Sequence, residues 1–181
     1  MKTALKDPLL LFAKAVAIFL QGVMALGGAI RTLVVFAALF GRGRILAEIS
    51  GKIGEAAPAG FYPALIGILL VGLAIVALLF FFFDKLRRII GTVGEGDPFQ
   101  PENARRLNIM AWLMLAVQLL FIPATALGMI LAQVADEMDN VDISSDGSVD
   151  ISGILLVVIL FILARVFRKG TEMREELEGT V

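Results

Sequence analysis

Side chains that could do chemistry are few in this chain, and they are unevenly placed. There is no His and no Cys among its 181 residues. Imidazole and thiol catalysis, disulfides and the usual zinc ligand sets are therefore excluded. No nucleophile–base pair is recognisable, and we expect neither an enzyme nor a cofactor. Four groups remain. Arg31 lies in an apolar stretch, and Gln118 and Thr125 are polar residues in another. Asp136 to Asp150 carries six acidic residues and no basic one. The fourth group is a polar island, Asp84 to Leu107, between two long charge-free runs.

Each group has a plain and a sharper reading. Arg31 either snorkels to a headgroup layer or pairs with Asp136 or Glu137; an ionisable residue within a bilayer is a functional hypothesis by default. Asp142, Asp146 and Asp150 resemble the start of a calcium loop, but the position needing a bidentate Glu is Gly153. They are weak metal candidates, and no metal is expected. The same segment alternates apolar residues. Pairing Val141 with Ile151 and Ile143 with Val149 predicts a small β-hairpin turning at Ser145-Asp146-Gly147. Gly91, Gly94 and Gly96 follow an apolar helix rather than a strand and fit neither phosphate-loop spacing.

Within the island, Pro101 suits the first position of a helix and Glu102 its positive end. Asp97-Pro98 favours a turn ahead of it, with Phe99 tucking back onto a helix or the membrane. In the plain reading Lys85, Arg87, Arg88, Arg105 and Arg106 meet anionic lipid. In the sharper one, the segment docks a soluble partner.

The elements that must hold these groups follow from hydropathy. A mean hydropathy of +0.89 and 59% hydrophobic residues exceed what a soluble domain of this length carries. Runs of about 20 apolar residues cross a ~30 Å core as helices. We expect an all-α integral membrane protein with four transmembrane helices, at about 15–38, 61–83, 109–134 and 151–168. Loops fall at 39–60, 84–108 and 135–150, with a tail at 169–181. The first span has two placements: we favour Lys14 and Arg31 as its two edges, over a span from Phe19 to Phe40 with Arg31 inside. Ile45 to Ile53 reads as a short interfacial helix. Pro123 should kink the third span, with Thr125 bonding a freed carbonyl. Gly170 reads as a helix stop and Thr171 as the N-cap of a last helix over 172–178. Twelve Lys and Arg on the termini and island, against three on the outer loops, predict both termini in the cytoplasm and the hairpin outside.

The run Gly96-Asp97-Pro98-Phe99-Gln100-Pro101-Glu102-Asn103-Ala104-Arg105-Arg106-Leu107 resembles the signature of a bacterial four-span membrane family, domain of unknown function 2975. That family carries Gly-Asp-Pro-Phe-x-Pro-Glu-Asn-Ala-x-Arg-Leu between its second and third spans. Ala164-Arg165-Val166-Phe167-Arg168-Lys169-Gly170, then Met173-Arg174-Glu175-Glu176 and a final Thr180-Val181, are similar to its ending. The resemblance implies a bacterial inner-membrane protein whose gene neighbours a small helix-turn-helix regulator of the Xre/Cro type. The expected function is then regulatory or signalling. The cytoplasmic surface formed by Asp97, Pro98, Phe99, Pro101, Glu102, Asn103, Arg105 and Arg106 with Arg165, Arg168, Arg174, Glu175 and Glu176 would bind or sequester that DNA-binding regulator. The chain itself would contact lipid but not nucleic acid, with room for a homo-oligomer. The alternative is a small oligomeric transporter or channel-like protein with Gln118 and Thr125 on its pathway. The absence of carboxylates from the spans counts against that alternative.

Overall fold

The computed structural model describes residues 8–54, 56, 58–136 and 151–178. It is all-helical over those residues: α1 (Pro8–Phe40), α2 (Arg42–Ile53), α3 (Phe61–Gly94), α4 (Pro101–Asp136) and α5 (Ile151–Glu178). Four of these helices, all but α2, are long and apolar enough to cross a membrane. Large apolar side chains such as Phe12, Phe40, Ile122 and Ile151 stay exposed. In water such a surface would drive aggregation, whereas lipid solvates it. The chain is a multi-pass membrane protein in a bilayer environment.

Helix ends follow local chemistry. Gly41, whose N–H donates to the Ala37 carbonyl, separates α1 from α2. A Cβ there would lie 2.7 Å from that same carbonyl oxygen, so glycine is required. The predicted interfacial helix is present and begins three residues earlier than expected, at Arg42. It closes on Gly54 in the left-handed conformation, φ 80°. Pro63 occupies the first turn of α3, where no intrahelical donor is lost.

The polar island is not a loop. Its first part continues α3 to Gly94 and its second opens α4 at Pro101, leaving only six linking residues. Gly96 (φ 87°) ends α3. The Gly96 N–H donates to the Val93 carbonyl and the Asp97 N–H to that of Thr92, the paired bonds of a Schellman cap. Pro98 then prevents resumption of the helix.

Three expectations change. No strand forms among the described residues, and Ile151, expected to pair with Val141, is the first residue of α5. The rest of the hairpin, with Asp142, Asp146 and Asp150, lies outside the described residues. Second, α5 passes through Gly170 and Thr171 without a break, for a reason that lies in the site described below. Third, Thr125 donates to the Phe121 carbonyl at 2.9 Å, an ordinary i−4 bond. The carbonyl that Pro123 deprives of its donor is Leu119's, four residues back, so Thr125 does not compensate for the proline.

The chain divides into two compact units. One comprises Met1–Ala25, Ala77–Gln118 and Asp150–Val181; the other comprises Leu26–Val76 and Leu119–Val149. In the first, Ile89, Leu107, Met110, Ala111, Leu160 and Ala164 form a buried core from α3, α4 and α5. In the second, Tyr62 donates to the Ala38 carbonyl at 3.1 Å, and Arg42 stacks over the Tyr62 ring at 5.1 Å. The Gly67 backbone approaches so near α4 that a Cβ would lie 3.0 Å from Leu127 Cδ1. Small residues give such access between membrane helices.

Candidate functional site

The most closely built polar structure is in the first unit, where the α3–α4 link meets α5. Asn103, in the first turn of α4, is 0% exposed. Its Nδ2 donates to Thr92 Oγ1 (2.8 Å) and to the Pro98 carbonyl (2.9 Å), and its Oδ1 accepts from Arg106 (2.8 Å). Thr92 passes its own hydrogen to the Ile89 carbonyl at 2.8 Å. A buried amide is costly unless its donors and acceptor are satisfied, and here both donors and the acceptor are used. One side chain thus ties the end of α3, the link and the start of α4.

The link is then fastened to α5. The Phe99 ring stands 5.5 Å from that of Phe167 and over Gly170, where a Cβ would lie 2.6 Å from Phe99 Cδ1. Thr171 sits within reach of two carbonyls, Phe99 at 3.1 Å and Phe167 at 3.0 Å, so its single hydroxyl hydrogen is shared between the link and its own helix. Arg174 pairs with Asp97, which also accepts from Gln100 Nε2 at 3.2 Å. Gly170 therefore makes room for Phe99, and Thr171 anchors the link. Neither ends a helix. We call this arrangement the latch.

The basic residues sort into two sets. Asp84 is the first residue past the charge-free run 61–83, and it gathers Lys85, Arg87 and Arg88 at 3.2, 3.4 and 3.0 Å. Burial pushes its carboxyl up, but the hydrogen bonds and charges of Lys85 and Arg88 outweigh this and hold it below its ordinary value. Lys169 pairs with Glu172 at 3.3 Å. Arg105, Arg165 and Arg168 are exposed and make no hydrogen bond or ion pair with a described residue.

Of the residues expected to bind a partner, Asp97, Pro98, Phe99, Asn103, Arg106 and Arg174 are brought together, but they bind one another. Pro101 starts α4, while Glu102, Arg105, Arg165, Arg168, Glu175 and Glu176 lie on exposed positions of α4 and α5. Thr92, Asn108, Gly170 and Thr171 belong to the site or its rim and were not foreseen in these roles. Thr171 carried a signal as a capping residue, though for a different helix end.

In the second unit, Arg31 turns toward α3. It donates to the Ile68 carbonyl at 3.4 Å. Its guanidinium fills the place a Gly72 side chain would take, 2.7 Å from Nε to that Cβ position. Gly72 is the middle residue of the charge-free run 61–83. Contacts of residues 38 with 62, 31 with 68 and 72, and 28 with 76 give α1 and α3 one antiparallel register, favouring the Phe19–Phe40 placement with Arg31 inside. Arg31 Nε is buried without a partner among the described residues. Of its two expected partners, Glu137 lies outside the described residues and Asp136 closes α4. A charge at that depth costs about 2.5–3.5 kcal/mol on insertion scales. In the first unit, Gln118 Nε2 is likewise buried and unpaired.

Fold and site together define a four-helix multi-pass membrane protein whose signature segment is an internal fastening. The family described as "Protein of unknown function (DUF2975)" matches residues 3–181, and the chain belongs to it. Comparison with curated proteins and with solved structures finds no match.

Proposed function

We propose that this chain is a membrane-embedded regulatory protein whose latched polar end receives a small soluble partner, a helix-turn-helix DNA-binding regulator of the type the family resemblance implies. The observation that carries the reading is the latch itself. It fixes the first turn of α4 against the last three turns of α5, while the charged faces of both helices remain open to solvent. A prebuilt surface binds without the entropy loss of ordering a loop. Charge distribution supports a cytoplasmic position for this end, on the inner membrane of a bacterium. On this reading binding falls to Glu102, Glu175 and Glu176, and Asn103 and Arg106 act by holding the surface in shape.

The test is co-purification in mild detergent with the neighbouring regulator. Glu102→Lys/Glu175→Lys, a charge reversal on exposed positions, should release the regulator from the membrane fraction while the membrane protein still accumulates. A wild-type protein from which the regulator neither co-elutes nor sediments with membranes ends the proposal.

The unpaired Gln118 amide favours a second reading, a small transporter with Gln118 facing its pathway. It requires flux, or ligand-dependent stabilisation, that Gln118→Leu abolishes.

A further inference from the structure

From the end of α3 onward, the three arginines without a partner among the described residues lie along one groove. Two cavities open between α4 and α5 in the first unit, of about 350 and 680 Å³. They share Asn108, Arg168 and Glu172 in their walls, so they adjoin, and together we call them the trough. At one end the wall is Phe161 and Ile162, within the apolar run of α5. Arg165 and Arg168 follow, one and two turns further along the same helix, roughly 5 and 9 Å from Ile162. Arg105 enters from α4.

The charges facing the trough can be set out in full. Arg105, Arg165 and Arg168 are uncommitted, Lys169 is paired with Glu172, and Glu175 stands on the rim away from Phe161. Positive charge is thus in excess, beside an apolar wall that continues into the membrane-crossing part of α5. The other basic residues from the end of α3 onward are held elsewhere: Lys85, Arg87 and Arg88 by Asp84, Arg106 by Asn103, and Arg174 by Asp97.

From this we infer that the trough is a binding site for an anionic glycerophospholipid, its phosphate held among Arg105, Arg165 and Arg168 and an acyl chain laid against Phe161 and Ile162. Guanidinium groups present paired donors that match phosphate oxygens. An acyl chain gives the apolar wall a partner that a free phosphate or a soluble acidic protein lacks. The site differs from general surface attraction, because Lys85, Arg87 and Arg88 are gathered on Asp84, whereas these three arginines are uncommitted and stand beside an apolar wall. It is independent of the partner reading above.

The chain carries its own reporter. Trp112, its single tryptophan, is exposed and stands edge-on to Phe161 at 5.6 Å. Full-length protein is placed in phosphatidylcholine nanodiscs with a minor fraction of phosphatidylglycerol brominated on its acyl chains, and Trp112 quenching is compared with that from the same fraction of brominated phosphatidylcholine. We expect a preference of roughly tenfold for phosphatidylglycerol, from basic groups each worth a severalfold gain beside an anionic headgroup. Arg105→Gln/Arg165→Gln/Arg168→Gln should bring the preference to about parity, whereas Arg44→Gln, which removes an exposed charge on α2, should leave it intact. Equal quenching by the two lipids in the wild-type protein overturns the proposal and needs no variant to be folded. Loss of the preference in excess inorganic phosphate would identify a free-phosphate site and also overturn it. So would a triple variant that keeps the lipid preference but no longer retains the soluble partner, which would make the trough a protein contact.

Discussion

Replacing Gly170 with alanine sets two physical effects in opposition, and their sum reports on the latch. Gly170 lies inside α5, where alanine is the better helix former by about 0.8–1.0 kcal/mol. Alone, that gain would stabilise the protein. However, the new Cβ would meet Phe99 Cδ1 at 2.6 Å and Cε1 at 2.8 Å, so the ring must move. Overpacking of this kind costs about 1–3 kcal/mol. Moving Phe99 also draws its carbonyl from Thr171, a bond worth about 1 kcal/mol. The balance is a net destabilisation of about 1–3 kcal/mol. In a Phe99→Ala background the collision is gone, and Gly170→Ala should instead stabilise by about 1 kcal/mol. The two sites should therefore couple by about 2–4 kcal/mol, at or above the upper end for residues in contact. The assay is equilibrium unfolding in mild detergent, followed by helical circular dichroism and Trp112 emission, for the four members of the cycle. If Gly170→Ala stabilises the protein equally with and without Phe99, the ring does not rest on Gly170 and the latch is wrong.

Gly72→Ala should destabilise the wild-type protein by about 2 kcal/mol or more, since it drives the Arg31 guanidinium out of its niche; in an Arg31→Leu background it should be neutral or mildly stabilising. Gln118→Leu should raise stability by about 1 kcal/mol, because it removes a buried amide nitrogen that has no partner among the described residues; loss of stability would show a hidden partner, and unfolding of the purified variant reads it directly. Since the chain holds no cysteine, single cysteines report sidedness cleanly. Asp146→Cys should react with an impermeant thiol reagent in intact cells and Glu175→Cys only after permeabilisation. The reverse pattern would invert the proposed topology.

Much of the architecture was readable before any coordinates because it rests on local signals. Long apolar runs located the four long helices, and Pro101 with Glu102 marked the start of α4. The recurrence of Ile45, Ile49 and Ile53 gave α2. What escaped depends on residues distant in sequence. A Gly-Thr pair after a basic turn gives the same local signal whether a helix ends there or a phenylalanine from 71 residues earlier needs the space. Asn103 looks like an ordinary first-turn residue until Thr92 and the Pro98 carbonyl are seen on either side of it. The surroundings of Arg31 escaped for a similar reason. Snorkelling is the cheaper course for an isolated helix, but Gly72 on α3 offers a niche and the Ile68 carbonyl an acceptor. The signature residues Asp97, Phe99 and Asn103 contact one another's segments and α5, and a distinctive motif can serve internal fastening as well as recognition.

The central claim is that the signature segment is fastened to α5, and a disulfide tests it most directly. A Cβ at 170 lies 2.6 Å from Phe99 Cδ1, which puts cysteines at 99 and 170 within the Cβ separation of about 3.5–4.5 Å that a disulfide accepts. In native membranes, Phe99→Cys/Gly170→Cys should form an intramolecular bond on mild oxidation, reversed by reductant, with no link between separate copies of the chain. Two thiols that remain open to alkylation in a protein that still folds and accumulates would contradict the account.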